Sequence, residues 1–277
     1  MLRNYIRVIY SNNGALQDIS NKLQDAGGGF SERLTTGEDY IYIGQQMPFN
    51  NFFAWMTVLN SVSANLTLEY FDGSAWRACV DVLDGTEGFK KSGCIQFVPD
   101  KQYEWDYIED TSEVSDTFEL KTLKIYNLYW LRVKSSATLS AGTEWKRLTY
   151  AFCMSSDLKT HMPEVDNYLE AWGGVDKTDW IAEIIAASEQ MVIDLKGRGL
   201  VVHPGQILLF DDVSYGAQMK TLANIMVELG PAFDERRAER MKEYNASLSI
   251  KRFTLDVNRN ARTEKFEEAL TVGVAER

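Results

Sequence analysis

The spacing of apolar residues along the chain changes near residue 160. Before this point, short aromatic and β-branched runs alternate with polar positions, as at residues 39–44 and 129–133, which is typical of half-buried strands. After it, apolar residues recur every three or four positions, which is typical of helices with one buried face. The pattern predicts an α+β protein with two domains, an N-terminal antiparallel β-sandwich followed by a C-terminal helical bundle.

The clearest local signal in the first half is a β-hairpin. Residues 65–71 and 76–82 form two alternating runs, and the turn Asp72-Gly73 lies between them. Glycine tolerates the positive φ angle that a tight hairpin requires, so the two runs are predicted to pair as antiparallel strands. Further strands are expected at residues 5–10, 93–98 and 145–152.

The second half predicts three antiparallel helices joined by short connections. Capping residues and glycines mark the ends of each periodic stretch. The expected boundaries are an N-cap at Asp176 or Thr178 and an end at Gly197 or Gly199 for the first helix, a start at Asp211 or Asp212 and an end at Gly230 for the second, and a start at Pro231 or Ala232 for the third.

These elements divide the chain into four parts. We expect a β-sandwich domain at residues 1–155, a linker at 156–175, the helical bundle at 176–258 and a C-terminal tail at 259–277. The linker begins in a polar stretch that contains Pro163, which discourages continuation of a strand. The tail is charged and lacks helix caps, so we expect it to order only on a partner, and its removal should leave the bundle folded.

The formal net charge of -11 argues against general nucleic-acid binding. The exception is a locally basic stretch between residues 236 and 262. This stretch is either an ordinary solvated helix face or a surface for an acidic partner. Its candidate residues are Arg236, Arg237, Arg240, Lys251, Arg252, Arg259 and Arg262.

The titratable residues form no recognisable catalytic or metal-binding pattern. His161 and His203 have no cysteine or carboxylate at metal-ligand spacing, and the three cysteines lie in apolar contexts typical of buried thiols. We therefore expect no enzyme activity, no metal and no cofactor. Two weaker alternatives are a carboxylate pair for glycoside hydrolysis within residues 100–119 and a calcium loop at residues 256–267, which lacks the usual central glycine.

Two tryptophans in the β half leave two interpretations open. Trp76 and Trp105 could belong to the core of the sandwich, or they could form an exposed surface on which sugar rings stack. The first interpretation makes them structural. The second predicts a glycan-binding module.

Five segments of the helical half resemble the head-to-tail connector (adaptor) proteins of tailed bacteriophages. They are residues 179–188, 206–212, 222–225, 244–248 and 255–258. The front half is separately similar to β-sandwich modules of phage virion proteins, through residues 40–44, 48–51, 69–76 and 129–133. A typical adaptor consists of the bundle alone, so this chain would be an adaptor with an added N-terminal β-sandwich.

The resemblance implies a structural virion protein of a phage neck. Such a protein forms an oligomeric ring, usually of twelve copies, that joins the portal protein to a tail completion or terminator protein and surrounds the DNA channel. The basic residues would then meet the portal or lie near genomic DNA without reading its sequence. We expect synthesis in the host cytoplasm and no membrane partner. The alternative function is a glycan- or receptor-binding module of a tail tip or fibre, with Trp76 and Trp105 facing the glycan.

Overall fold

The computed structural model describes residues 7–24, 28–115, 118–172, 177–249, 253–256 and 259–262. The chain forms two compact units. The first, which we call the β unit, extends to Thr149 and also includes residues 258–262. The second, the helical unit, begins at Tyr150 and extends to Val257. This division confirms the predicted α+β class, with antiparallel sheets in the first half and helices in the second.

Twelve strands are described, and all of their pairings are antiparallel. They are β1 (Arg7–Asn12), β2 (Ala15–Asp18), β3 (Phe30–Ser31), β4 (Tyr40–Gln45), β5 (Asn51–Val58), β6 (Leu66–Phe71), β7 (Trp76–Ala78), β8 (Val80–Asp84), β9 (Gly93–Val98), β10 (Ile108–Asp110), β11 (Tyr126–Ser135) and β12 (Glu144–Thr149). One sheet has the order β2-β1-β4-β11-β6-β7, with β10 paired to β11, and the other has the order β3-β12-β5-β9-β8.

The predicted hairpin is present, but its second strand is shorter than expected. Phe71 pairs with Trp76, and Gly73 adopts a φ angle of +88° in the turn. Strand β7 then ends at Ala78, and β8 pairs with β9 in the other sheet. The run 76–82 therefore contributes to both sheets, and the change from one sheet to the other falls at Cys79. Asp81, with a φ angle of 50°, lies at an irregularity in the pairing of β8 with β9.

One face of the first sheet is covered by the connection between β10 and β11. This connection contains two short 3-10 helices, Thr111–Glu113 and Glu119–Leu123. Its Phe118 and Leu120 are buried against strand residues that include Ile9 and Trp130. The acidic stretch that we considered for glycoside hydrolysis is thus partly a structural cover over a hydrophobic core.

The helical unit contains five helices in its described residues. They are α2 (Ser155–His161), α3 (Asn167–Trp172), α4 (Ile181–Gly197), α5 (Asp211–Leu229) and α6 (Asp234–Ser247), and a short helix α1 (Ser20–Gln24) belongs to the β unit. Helix α5 packs against both α4 and α6. The Tyr244 hydroxyl of α6 donates a 2.5 Å hydrogen bond to Asp194 of α4, which joins these two helices directly.

Most helix boundaries agree with the sequence signals. Helix α5 begins at Asp211 and ends before Gly230, whose φ angle is +90°. Helix α4 ends at Gly197 but begins later than predicted, because the Asp179 carboxylate accepts the Ile181 N–H and Trp180 occupies the cap position. Helix α6 begins at Asp234, since residues 231–233 form a 3-10 turn.

Residues 156–175, which we expected to be a linker, include α2 and α3. The Asp157 carboxylate accepts the backbone N–H of Met154, which caps the start of α2. Leu158, Met162 and Val165 are then buried. The proline at 163 ends α2 without ending the folded region, because apolar residues on both sides of it pack into the core.

Candidate interaction surfaces

Helix α6 carries three of the seven basic residues that we selected from the sequence, Arg236, Arg237 and Arg240. Of its 14 residues only Tyr244 and Ser247 are buried. Its sequence, DERRAERMKEYNAS, holds four acidic and four basic residues, so its side chains are neutral in sum. A helix that is polar on nearly all sides either contacts a partner or is stabilised by pairs of charges along its own surface.

The three arginines of α6 each have a carboxylate neighbour. Arg236 pairs with Glu164 at 3.4 Å, Arg237 with Asp234 at 3.7 Å and Arg240 with Glu243 at 2.8 Å. Positive charge is therefore compensated locally, whereas non-specific DNA binding requires an excess of cations facing the phosphates. The arrangement suits a protein surface with alternating charges better than a DNA-binding surface.

The remaining basic candidates have different surroundings. Lys251 and Arg252 lie outside the described residues. Arg259 is exposed and has a φ angle of 61°. Arg262 is only 9 % exposed. Of the two candidates in this group that the structure describes, only Arg259 is therefore exposed.

The buried Arg262 side chain binds a group of backbone carbonyls, which we call the carbonyl cradle. Its guanidinium donates hydrogen bonds to the carbonyl oxygens of Asp100, Lys101 and Tyr103. The Tyr70 hydroxyl shares its one proton between the Asp100 and Tyr103 carbonyl oxygens, at 3.0 and 3.1 Å. Arg262 is thus a structural residue of the β unit, and the site that we expected to face portal or DNA is occupied internally.

Of the calcium-loop alternative at residues 256–267, only residues 256 and 259–262 lie within the described part of the chain, and Asn258 and Glu267 lie outside it. The Asn260 side-chain oxygen accepts the Arg262 N–H at 2.9 Å, and Ala261 is buried with a φ angle of 55°. Asp256 belongs to the helical unit, where its N–H donates to the Gln206 carbonyl at 2.8 Å. Among the described residues, no group of three or more His, Cys, Asp or Glu side chains could hold a metal ion.

Neither candidate tryptophan offers a free ring for sugar stacking. Trp105 is 7 % exposed and packs against Phe49, Tyr70 and Phe97. Trp76 is half-buried, and its indole N–H donates to Glu119 at 2.9 Å. Its ring also contacts three aromatic side chains, and the Arg132 guanidinium lies over it. Both residues therefore match the core interpretation. The alternative prediction, that Trp76 and Trp105 face a glycan, does not agree with these contacts.

The acidic residues of the loop after β9 serve local turns. Asp100 accepts the Gln102 N–H, Asp106 accepts the Tyr107 N–H and Asp110 accepts the Ser112 N–H. Side-chain acceptance of this kind stabilises tight turns and short helix ends. The spacing of these acids thus has a structural cause that is independent of catalysis.

An ion-paired cluster that the sequence pattern did not reveal lies in the helical unit. Lys177 donates to Glu183 at 2.6 Å and to Glu228 at 2.5 Å, and its ammonium lies 4.4 Å from the centre of the Trp180 ring. The second carboxylate oxygen of Glu183 is buried and has no hydrogen-bond partner among the described residues. Burial raises the pKa of Glu183, against the opposing hydrogen bond from Lys177.

This raised pKa predicts a pH dependence. The folded helical unit binds a proton at Glu183 more tightly than the unfolded chain does. Its stability should therefore fall as pH rises from the ordinary glutamate range, near 4.5, through the raised value. Glu183→Gln keeps the shape and cannot ionise, so we expect a flatter stability curve above that range, measured by urea denaturation at successive pH values.

The exposed residue Glu239, on α6 of the same unit, provides the control. Glu239→Gln should leave the pH slope unchanged, because its side chain faces solvent. An unchanged slope in Glu183→Gln as well would show that Glu183 does not hold the proton.

Burial shifts the pKa values of one histidine and two cysteines. Burial, with a smaller contribution from Lys196, lowers the pKa of His203 to about 4, and its Nδ1 accepts the Gly205 N–H at 3.0 Å. Burial raises the pKa of Cys94 and of Cys153 to about 12, which leaves both thiols protonated and weakly nucleophilic at neutral pH.

Comparison of the sequence with models of known protein families and with curated proteins gives no match.

Proposed function

We propose that this chain is a structural subunit of a phage neck, which assembles into a ring and joins the portal protein to a tail completion protein. The observation that carries the proposal is the surface of α6, a 14-residue helix that buries only two of its residues. A ring subunit requires two different surfaces that fit its neighbours, and heterologous contacts of this kind close into rings.

The exposed apolar side chains of the helical unit support the same function. Most of its large apolar residues are buried, yet several are 42–67 % exposed and would be covered by a neighbouring protein. They are Ile193, Val202, Leu209, Tyr215 and Val227. Together with α6, they give the helical unit both charged and apolar positions for contacts between subunits.

The charge distribution favours proteins over DNA as the partners of this unit. Helix α6 is neutral in sum, and the whole chain carries a net charge of -11. Alternating charges fix the register between two proteins and suppress wrong pairings. We therefore assign α6 to contacts with a neighbouring copy or with the portal.

A charge reversal on α6 tests the proposal. Arg236 is exposed and makes only a long, solvent-accessible ion pair, so Arg236→Glu should not unfold the chain. We expect it to weaken assembly about threefold to tenfold, which corresponds to about 1 kcal/mol. Assembly can be followed by sedimentation velocity, with the chain alone and mixed with the portal protein of the same phage.

Lys91→Glu is the matched control. Lys91 is also exposed and pairs with a nearby carboxylate, Glu87, but it lies in the β unit. It should assemble like the unmodified chain. Equal assembly of the two variants would show that α6 is not part of the interface. A chain that stays monomeric even with portal protein would contradict the proposed function.

A further inference from the structure

A groove of about 300 Å³ opens on the β unit beside the β1–β2 hairpin. Its apolar lining includes Ile9 and Leu128, which are 0 % and 2 % exposed and belong to the core under the 111–125 connection. The half-buried side chains of Leu123 and Ile125 lie over these core residues and form the apolar floor that an inserted side chain can reach. An apolar side chain inserted here would extend a core that already exists.

The rim of the groove carries more positive than negative charge. Arg7 and Lys124 line it together with one acid, Asp18, which pairs with Arg7 at 3.3 Å. Tyr126, also in the lining, is 55 % exposed although it is a large aromatic residue. The groove therefore suits an apolar side chain that has a carboxylate close to it in sequence.

Strand β8 of the same unit has this chemistry. Its sequence is VDVLD, and it is the last strand in the order of the second sheet. Leu83 is 65 % exposed and Val80 is 42 % exposed, and the acidic Asp81 lies between them. An exposed edge strand with apolar side chains readily joins another protein surface.

The strand order separates the groove from β8. Strands β1 and β2 are at one end of the first sheet, and β7 is at the other end. Strand β8 follows β7 after a single residue. The groove and β8 therefore lie at opposite ends of the strand order. They would pair between different copies of the chain rather than within one copy.

We propose that the groove of one copy binds the β8 edge of a neighbouring copy, with Leu83 on the apolar floor and Asp81 near Lys124. Such a contact is heterologous, because two different surfaces meet, and it leaves a free groove and a free β8 at the ends of every pair. The inference rests on the proposed self-association and gives the β unit a role in it, which is to brace adjacent subunits.

Disulfide trapping in the full chain tests this contact. Two single variants, Leu83→Cys and Tyr126→Cys, are mixed under assembly conditions and oxidised mildly. Mass spectrometry of the linked peptides then identifies the disulfide. We expect a bond between the two introduced thiols, one from each copy, in clear excess over the bond formed when Leu59→Cys replaces Leu83→Cys, since Leu59 is 50 % exposed elsewhere on the β unit.

A double-mutant cycle checks the charge contact independently. Asp81 and Lys124 have φ angles of 50° and 49°, a conformation that asparagine tolerates, so Asp81→Asn and Lys124→Asn should both fold. Each should weaken assembly about threefold if the two charges meet across the interface. The double variant should then be no weaker than the worse single variant.

The outcomes separate this inference from the proposed function. The groove contact would be overturned, and the ring left standing, by assembly in which the Leu83→Cys and Tyr126→Cys variants link no better than the Leu59→Cys control. Additive effects in the double-mutant cycle would have the same meaning. Absence of any assembly, including with portal protein, would overturn both.

Discussion

Arg262→Ala is expected to destabilise the β unit by about 3 kcal/mol, because hydrogen bonds to a buried charged group contribute about 1.5–3 kcal/mol and their loss leaves acceptors unpaired. The variant removes the guanidinium from the carbonyl cradle, so three backbone carbonyls lose a donor. Hydrogen exchange should accelerate in the peptides that contain Tyr70 and residues 100–103. Urea denaturation followed by tryptophan fluorescence should show a lower midpoint.

Arg259→Ala is the control for this prediction. Arg259 is three residues away and exposed, so its replacement should change stability by less than about 0.5 kcal/mol. Arg262→Lys should be intermediate, because an ammonium keeps the charge but lacks the planar fork that reaches several carbonyls. If Arg262→Ala is as stable as Arg259→Ala, the carbonyl cradle does not contribute to the fold.

The same contact changes what a C-terminal deletion should do. The sequence predicted that residues after Asn258 could be removed without unfolding the bundle. Such a deletion also removes Arg262 and the buried Ala261, so we expect it to destabilise the β unit at least as much as Arg262→Ala does. Deletion after Arg262 should spare the cradle and isolate any effect of residues 263–277 on assembly.

Trp105→Ala should destabilise the β unit by about 3–5 kcal/mol, the usual cost of removing a large aromatic side chain from a core. Its ring packs against Phe49, Tyr70, Phe97 and Tyr129. The loss is measured by thermal or urea denaturation. Because the ring is buried, neither the original chain nor the variant should give a specific signal on a glycan array.

Trp105→Phe provides the matched comparison. The indole N–H of Trp105 is buried and has no hydrogen-bond partner among the described residues. Replacement by phenylalanine therefore reduces the side-chain volume but breaks no hydrogen bond. We expect a smaller loss, of about 1–2 kcal/mol. A Trp105→Ala variant that remains fully stable but loses specific glycan binding would instead support the tail-tip alternative.

The sequence predicted the elements whose signals are local. The Asp72-Gly73 turn, the glycine at 230 and the acidic start of α5 each act on their own neighbours, and each appears where the pattern placed it. The same reasoning could have found the β1–β2 hairpin, since Asn13 and Gly14 have φ angles of 47° and 85° and Asn-Gly is a strong hairpin signal. No strand was predicted at residues 15–18, where β2 is short and largely exposed.

Contacts between distant residues were beyond the sequence pattern. Arg262 is 162 positions from Asp100, and no spacing rule connects a tail arginine to backbone carbonyls. Lys177 and Glu183 are six residues apart, whereas Glu228 belongs to α5, and the packing of α4 against α5 brings it to Lys177. The sequence therefore predicted one basic surface. In the fold, the three arginines of α6 form ion pairs and Arg262 is buried.

In the proposed function, copies of this chain form a ring between portal and tail. Electron cryomicroscopy of isolated neck particles at subunit resolution tests it most directly, since the two units give distinct density, one of antiparallel sheets and one of helices. We predict a closed ring of identical copies directly beneath the portal. Neck particles that contain no copy of this chain, or copies attached singly without contact to one another, would contradict it.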